Sequence, residues 1–455
     1  MNTPNLELTK ESQLLFRYYN YLKIKSKNKF HFSQTSNNNS DFFKLQSNIF
    51  NSLNYIYNNL KTKFSYSYKK FREIYPAQSA PYKELVEKLY NKHFVSNKYI
   101  SPEIKNFIKN SKDSSLISYK IPHNSSFINI NLFIYSNFSR NHECIITHIL
   151  ALIYLISYTT HTQNAQQCSL DGLTLNLFLT PFRREIEKNR EKTLGAKNAN
   201  GGFCYGCISH GDIVVYREEE LFKVISHELI HNFGIDKYIL DFNESFKNEN
   251  SEEFKILSKF LKSYNLFREK KNQTFDIALQ ESLVEFWGSY FNIAIFSYNL
   301  SINYALSNNV ERYNLFLEIF ERTADLEIFH SFIQSTKILS FNNLSFNQLL
   351  LSKNNNSYKE NTHLFSYYII KLMLLYNYKK FISSNISTYK QKIYFQPSLK
   401  NIKKFLKYIT DISKTKNIKS NFQFIEELYT ALVKNNNKNQ KFFLKNLRMT
   451  ILEYN

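Results

Sequence analysis

The fold is decided by residues 223–234, which read KVISHELIHNFG and contain the pattern His-Glu-x-x-His. On an α-helix, His227 and His231 lie one turn apart on the same face, so both imidazoles can reach a single metal ion. Glu228 lies beside them, where its carboxylate could accept a proton from an attacking water. The pattern therefore predicts a metal-dependent hydrolytic site built on a helix.

The residues around this pattern favour a helix with a buried face. Three successive carboxylates, Glu218 to Glu220, are expected in its first turn, where the helix dipole favours negative charge. Gly234 follows the last turn, as a C-terminal cap would. Apolar side chains recur at helical spacing and leave the two histidines outside the core face: Phe222, Ile225, Leu229 and Phe233.

A zinc site in a hydrolase needs a third protein ligand, and a second helical stretch offers one. Residues 276–288 read DIALQESLVEFWG, and Glu281 and Glu285 project from the same side of this predicted helix. Two carboxylates on an apolar helix are costly to bury without partners, and a metal ion and a histidine N–H would be such partners. We therefore assign Glu281 to the metal and Glu285 to orienting a ligand histidine.

The two motifs together resemble the gluzincin branch of the zincin metallopeptidases, where His-Glu-x-x-His precedes a helix bearing Glu-x-x-x-Asp or a close variant. Glu285 replaces the usual aspartate, and the gap from His231 to Glu281 is long. The resemblance covers residues 115–300 and implies a five-stranded twisted sheet backed by helices, and peptide hydrolysis by a zinc-activated water. Residues 200–236 are also similar to uncharacterised predicted metallopeptidases of large DNA viruses.

Other residues stay open as the third ligand. The metzincin pattern would require a histidine at Lys237 and a methionine turn beneath the metal, so we discount that branch. Asp236, one residue earlier, could bind in a modified geometry. Glu244 lies in a sequence typical of a loop, and Cys204 or Cys207 would suit a deformylase-like site, whose signature is absent.

Alternating apolar residues predict strands at 127–135, 173–180 and 212–216, with a helix at 144–158 after the first strand. The stretch 198–205 is either an edge strand that pairs with an extended peptide or an exposed loop.

From this order of elements we expect an α+β fold. A zincin-like catalytic domain, with a twisted mixed sheet and an active-site helix, would occupy residues 113–300. A basic, mostly helical N-terminal region at 1–112 and a mostly helical C-terminal region at 301–455 would flank it.

The four cysteines, Cys144, Cys168, Cys204 and Cys207, are expected to be free buried thiols, since so few do not make a disulfide framework. No apolar segment follows Met1 as a signal peptide requires. The apolar stretches at 144–158 and 369–376 are shorter than a membrane span. We therefore expect a cytoplasmic protein, located in the host cytoplasm or the virion if the viral resemblance holds.

The formal net charge of +21 could attract nucleic acid, anionic membranes or acidic proteins. The basic residues concentrate at 61–70 and 400–445, but no zinc finger, phosphate-binding loop or RNA-binding signature accompanies them. The favoured function is a zinc metallopeptidase acting on a peptide or protein substrate. The alternative is an inactive zincin-like scaffold or a basic nucleic-acid-associated protein.

A peptidase of this kind also needs a donor that stabilises the oxyanion, and a tyrosine or histidine downstream of the metal motifs is expected to supply it. The sequence leaves four candidates: His330, His363, Tyr367 and Tyr368.

Overall fold

A computed structural model provides the structure of the chain. It describes residues 7–25, 30–32, 40–60, 72–76, 79–111, 114–123, 125–135, 141–160, 168–169, 171–187, 192–245, 251–266, 277–304, 308–351, 358–385, 387–389, 392–394, 398–435 and 441–454. The basic stretch 61–70 lies outside these residues.

The strands are β1 (Arg72–Tyr75), β2 (Ser114–His123), β3 (Ser126–Tyr135), β4 (Gly172–Leu179), β5 (Gly202–Cys204), β6 (His210–Val215), β7 (Ser387–Tyr389) and β8 (Lys392–Tyr394). The helices up to the second metal motif are α1 (Lys10–Lys25), α2 (Ser40–Asn59), α3 (Ala80–His93), α4 (Pro102–Asn110), α5 (His142–Thr159), α6 (Ala196–Ala199), α7 (Leu221–Asn232), α8 (Lys237–Ser245), α9 (Glu252–Lys262) and α10 (Leu279–Asn303). The later helices are α11 (Asn309–Phe341), α12 (Phe346–Leu351), a π-helix (Phe365–Ile370), α13 (Lys371–Tyr376), α14 (Tyr378–Asn385), α15 (Leu399–Ser413), α16 (Lys416–Asn435) and α17 (Lys441–Lys445).

The chain is a mixed α+β protein with a six-stranded sheet in the order β1-β2-β3-β4-β6-β5. Strands β3, β4 and β6 run parallel, whereas β1, β2 and β5 pair antiparallel with their neighbours. The resemblance implied five strands, and β1 is a sixth, which lies within the mostly helical N-terminal region. Strand β1 has four residues with largely exposed side chains and is too short for an alternation signal.

The three predicted strands and the helix after the first of them are confirmed as β3, β4, β6 and α5, with ends shifted by one or two residues. Strand β4 lies between two parallel neighbours and is buried along nearly its whole length. Such a strand reads as a continuous apolar run, which explains why its sequence was recognisable.

Helix α7 packs against α5, α10 and the sheet. Helix α10 crosses it closely at Gly288. A Cβ at this glycine would lie 3.5 Å from the backbone nitrogen of His227. This close approach brings the acidic residues of α10 beside the histidines of α7.

The last described residues, 446–454, form an extended segment that runs through the protein centre, which we call the C-terminal segment. All of its side chains are buried. Its backbone amides at Thr450 and Ile451 donate to the carboxylates of Glu220 and Glu327, at 2.6 and 2.9 Å. The C-terminal region was expected to be mostly helical, and this segment is its non-helical part, with a conformation fixed by distant carboxylates.

Among the described residues, α5 is long and apolar enough to cross a membrane, judged by length and composition. It extends beyond the stretch 144–158 that we judged too short for a span. In the structure 67% of it is buried against the rest of the chain, as in the core helix of a folded domain.

Lys337 of α11 gives a pH-dependent prediction. Its ammonium is buried and donates to the Asn446 carbonyl at 2.8 Å, and burial lowers its pKa to about 7. In the unfolded chain the pKa returns to about 10.4, so between pH 7 and 10 the unfolded chain binds more protons than the native protein. This group should therefore make the native protein more stable as pH rises through that range.

The measurement is the urea midpoint at pH 7 and pH 9 for the native sequence and for Lys337→Met. We expect the rise in midpoint between the two pH values to be smaller in the variant. An identical change in both proteins would show that Lys337 does not contribute.

Candidate metal centre

Helix α7 carries the first metal motif, and its N-terminal end differs from expectation. The helix begins at Leu221, and Glu220 precedes it in the left-handed conformation, with φ of 58°. Its carboxylate pairs with Arg184 at 2.6 Å, so the acidic run forms buried ion pairs before the helix and does not lie in its first turn. Gly234 has φ of +67° and ends the helix as predicted.

The described structure brings His227, His231 and Glu281 together. The Nε2 atoms of the two histidines lie 3.2 Å apart. The Oε2 atom of Glu281 lies 3.2 Å from Nε2 of His227 and 3.5 Å from Nε2 of His231. The three side chains can therefore offer one ligand atom each to a single metal ion, with all these atoms within 4.8 Å of one another.

Each histidine is oriented by a carboxylate on its other ring nitrogen. Nδ1 of His227 lies 2.8 Å from Oε1 of Glu285, and Nδ1 of His231 lies 2.7 Å from Oδ2 of Asp236. With a metal ion in place of the Nε2 proton, these contacts would favour the tautomers that carry the proton on Nδ1 and direct both Nε2 lone pairs at the centre. Glu285 thus occupies the orienting position that we assigned to it. Asp236, one of the alternative candidates for the third ligand, instead contacts Nδ1 of His231 in the same way.

The charges around the centre favour a cation. Burial lowers the pKa of both histidines, but the carboxylates outweigh it: Glu285 and Glu281 raise the pKa of His227, and Asp236 and Glu281 raise that of His231 well above its ordinary value. Burial raises the pKa of Glu281, yet the two imidazoles hold it well below its ordinary range. A metal ion would take the place of the protons that these pKa values describe.

A buried carboxylate oxygen without a hydrogen bond also indicates a metal site. Oε2 of Glu281 is buried and makes no hydrogen bond among the described residues, although both Nε2 atoms lie near it. Two imidazoles and one carboxylate are the ligand set of many catalytic zinc sites, with a fourth position left for water.

A cleft of about 830 Å³ opens over these residues and also contains Glu228. Strand β5 forms one wall of it, at the edge of the sheet. A Cβ at Gly202 would lie only 3.1 Å from Oε1 of Glu228 and 2.8 Å from Val224. At Gly201 it would lie 2.3 Å from the guanidinium of Arg184. Within 198–205, residues 202–204 form the edge strand β5, and Gly202 allows this strand to pass close over α7.

Two of the four candidate oxyanion donors reach the cleft. Tyr367 lies on the π-helix, with its ring 6.3 Å from that of His227, and His363 lies one turn before it. His330 instead contacts the hydroxyl of Tyr19, and Tyr368 donates to the Leu447 carbonyl, both within the core. A π-turn is often found at a functional site, and here it carries Tyr367.

The cysteines correct one expectation. Cys168 and Cys207 form a disulfide, whereas Cys144 and Cys204 are free. The bond joins residues 39 positions apart, a pairing that local spacing does not indicate. Glu244, expected in a loop, lies in helix α8.

Lys223 is a buried residue that the sequence did not single out. It lies one turn before His227 on α7, and its ammonium contacts Glu285 and the sulfur of Met449. Glu285 therefore stands between a buried cation and a ligand histidine, and the C-terminal segment reaches the cleft through Met449. In the sequence, the one local indication that Lys223 lies near the site is its position four residues before His227, which places both side chains on one face of the helix.

Comparison with known proteins adds a viral relative. No protein-family model matches the chain, and no solved structure matches it. Over 136 residues the chain is 27% identical to the uncharacterized protein R210 of Acanthamoeba polyphaga mimivirus. This alignment covers 29% of this chain and 34% of that protein. The chain thus aligns with about a third of that relative's length. Function therefore has to be argued from the site.

Proposed function

We propose that the protein is a zinc-dependent metallopeptidase. The observation that carries this proposal is the convergence of His227, His231 and Glu281, with Glu228 in the same cleft. Each ligand histidine has its own orienting carboxylate, an arrangement typical of metal sites. An edge strand beside the cleft supports a peptide as the substrate, because an extended peptide can pair with its backbone.

His227, His231 and Glu281 would hold the zinc ion, which when bound would supply Lewis-acid activation of a water and of the scissile carbonyl. Glu228 accepts the proton of the attacking water and delivers it to the leaving amine. Tyr367 or His363 donates a hydrogen bond to the carbonyl oxygen as negative charge develops there. Glu285 and Asp236 keep the two imidazoles in the required orientation.

The test is metal content by elemental analysis together with hydrolysis of a mixed peptide library. We expect about one zinc per chain, retained in the native sequence and lost in both His231→Ala and Glu281→Ala. Cleavage should disappear on chelation and return with zinc. Zinc retained in Glu281→Ala would move the third ligand elsewhere. A protein that binds no zinc even after loading would overturn the proposal and favour the scaffold or nucleic-acid function.

Gly202→Ala should lower kcat/KM about ten- to a hundredfold while zinc content stays unchanged. The added methyl group would meet Glu228 and Val224, so the strand or the carboxylate must move by a fraction of an ångström to an ångström. Peptide cleavage, zinc content and the thermal midpoint should be measured on the same preparation. Unchanged cleavage in a folded variant would show that this close approach is not needed.

A further inference from the structure

Beside the metal centre, the cleft contains an aromatic side chain held in place by buried polar residues. Tyr205 directly follows β5, lines the cleft and is 49% exposed. Its hydroxyl lies 2.9 Å from Nδ1 of His93, whose side chain is fully buried. Nε2 of His93 in turn lies 3.4 Å from the carboxylate of Asp212. This chain of contacts fixes the far end of an otherwise exposed ring.

The charges make this arrangement self-consistent. Burial lowers the pKa of His93, although Asp212 opposes that effect, and this favours the neutral imidazole. The Tyr205 hydroxyl can then donate a hydrogen bond to Nδ1 of His93. Asp212 is itself held by Lys92 and by the amide of Asn176. The hydroxyl of Tyr205 is thus engaged with a buried residue, and the exposed part of its ring remains for another partner.

Other apolar side chains line the same cleft as Tyr205. Phe203 packs edge-on against Tyr205, with centroids 6.0 Å apart, and supports it from the strand. Tyr99 and Leu240 also line the cleft and are 44% and 41% exposed. Exposed apolar side chains that line a cleft offer contact area to a ligand.

We propose that Tyr205, anchored by His93 and Asp212, selects peptides with large apolar side chains next to the scissile bond. The inference rests on the proposed function in that the cleft must hold a peptide. It adds the class of side chain preferred and the residue that determines it. His93 and Asp212 act as positioning residues, since they contact the peptide only through Tyr205.

The test uses binding, which does not depend on turnover. The background is Glu228→Gln protein loaded with zinc, and the probes are three blocked, fluorescein-labelled hexapeptides. They are alanine peptides that carry phenylalanine, alanine or glutamate at both central positions. We expect the phenylalanine peptide to bind about tenfold more tightly than the alanine peptide, as burial of an aromatic side chain predicts.

In the same background, Tyr205→Ala should reduce this ratio to less than about threefold, and Tyr205→Phe should give an intermediate ratio. Tyr304→Ala is the matched control, because Tyr304 is 59% exposed and is not among the residues that line the cleft. Equal binding of the phenylalanine and alanine peptides, tighter binding of the glutamate peptide, or an unchanged ratio in Tyr205→Ala would overturn the inference.

The two proposals fail in distinguishable ways. Cleavage by the native sequence without a Tyr205-dependent preference would sustain the peptidase and reject the role of Tyr205. A Tyr205-dependent preference in binding without any cleavage would sustain the selective cleft and reject the peptidase.

Discussion

Glu228→Gln should reduce kcat for peptide hydrolysis by about a hundred- to ten-thousandfold, the usual contribution of a general base. Glutamine has nearly the same shape but cannot take up a proton at neutral pH. The ligand atoms of His227, His231 and Glu281 are untouched by the change, so zinc content should stay the same. KM should change little, because the loss falls on the chemical step.

The measurement is steady-state cleavage of one defined peptide together with zinc analysis. Glu84→Gln is the control, because Glu84 is an exposed residue of α3, and it should retain full activity. Equal activity of native and Glu228→Gln proteins, both with zinc bound, would remove Glu228 from the mechanism.

Glu327→Leu should lower the free energy of unfolding by about 3–5 kcal/mol, the usual cost of removing one partner from a buried ion pair. Glu327 is completely buried on α11 and accepts from the ammonium of Lys371, 3.2 Å away. It also accepts from Thr450 and Ile451 of the C-terminal segment. The substitution would remove the counter-charge of the buried Lys371 ammonium, which keeps its hydrogen bond to the Met449 carbonyl, and would leave two further donors without this acceptor.

Urea unfolding of the double variant Glu327→Leu, Lys371→Met provides the control. Removal of both charges should recover part of the loss, since a buried ion pair can often be replaced by apolar residues at little cost. The recovery should be incomplete, because the donors of the C-terminal segment still lack an acceptor. A loss below about 1 kcal/mol in the single variant would show that solvent reaches this pair.

Local patterns in the sequence predicted much of the site. His227 and His231 lie on one face because helical periodicity requires it, and Glu281 and Glu285 share a face for the same reason. Strands β3, β4 and β6 were recognisable from their apolar residues. Convergence of the two helices was inferred from the cost of burying carboxylates, and the distances in the described structure agree with it.

Contacts between distant parts of the chain were not predictable in this way. The partner of Cys207 is 39 residues away, and the partners of Glu327 include residues 123 and 124 positions along the chain. Asp236 is close in sequence to His231, yet it reaches the imidazole only because the chain turns at Gly234. Periodicity carries no information on such pairings, since they depend on how the elements are assembled.

The position of the C-terminal segment has a consequence for synthesis on the ribosome. Met449 lines the cleft, and Arg448 pairs with Glu219 just before α7, but both are translated after every helix and strand described above. A nascent chain can therefore form the histidine helix and the sheet well before its cleft has all its walls. Because synthesis proceeds from the N-terminus, the cleft of the growing polypeptide stays incomplete until Arg448 and Met449 have emerged and inserted.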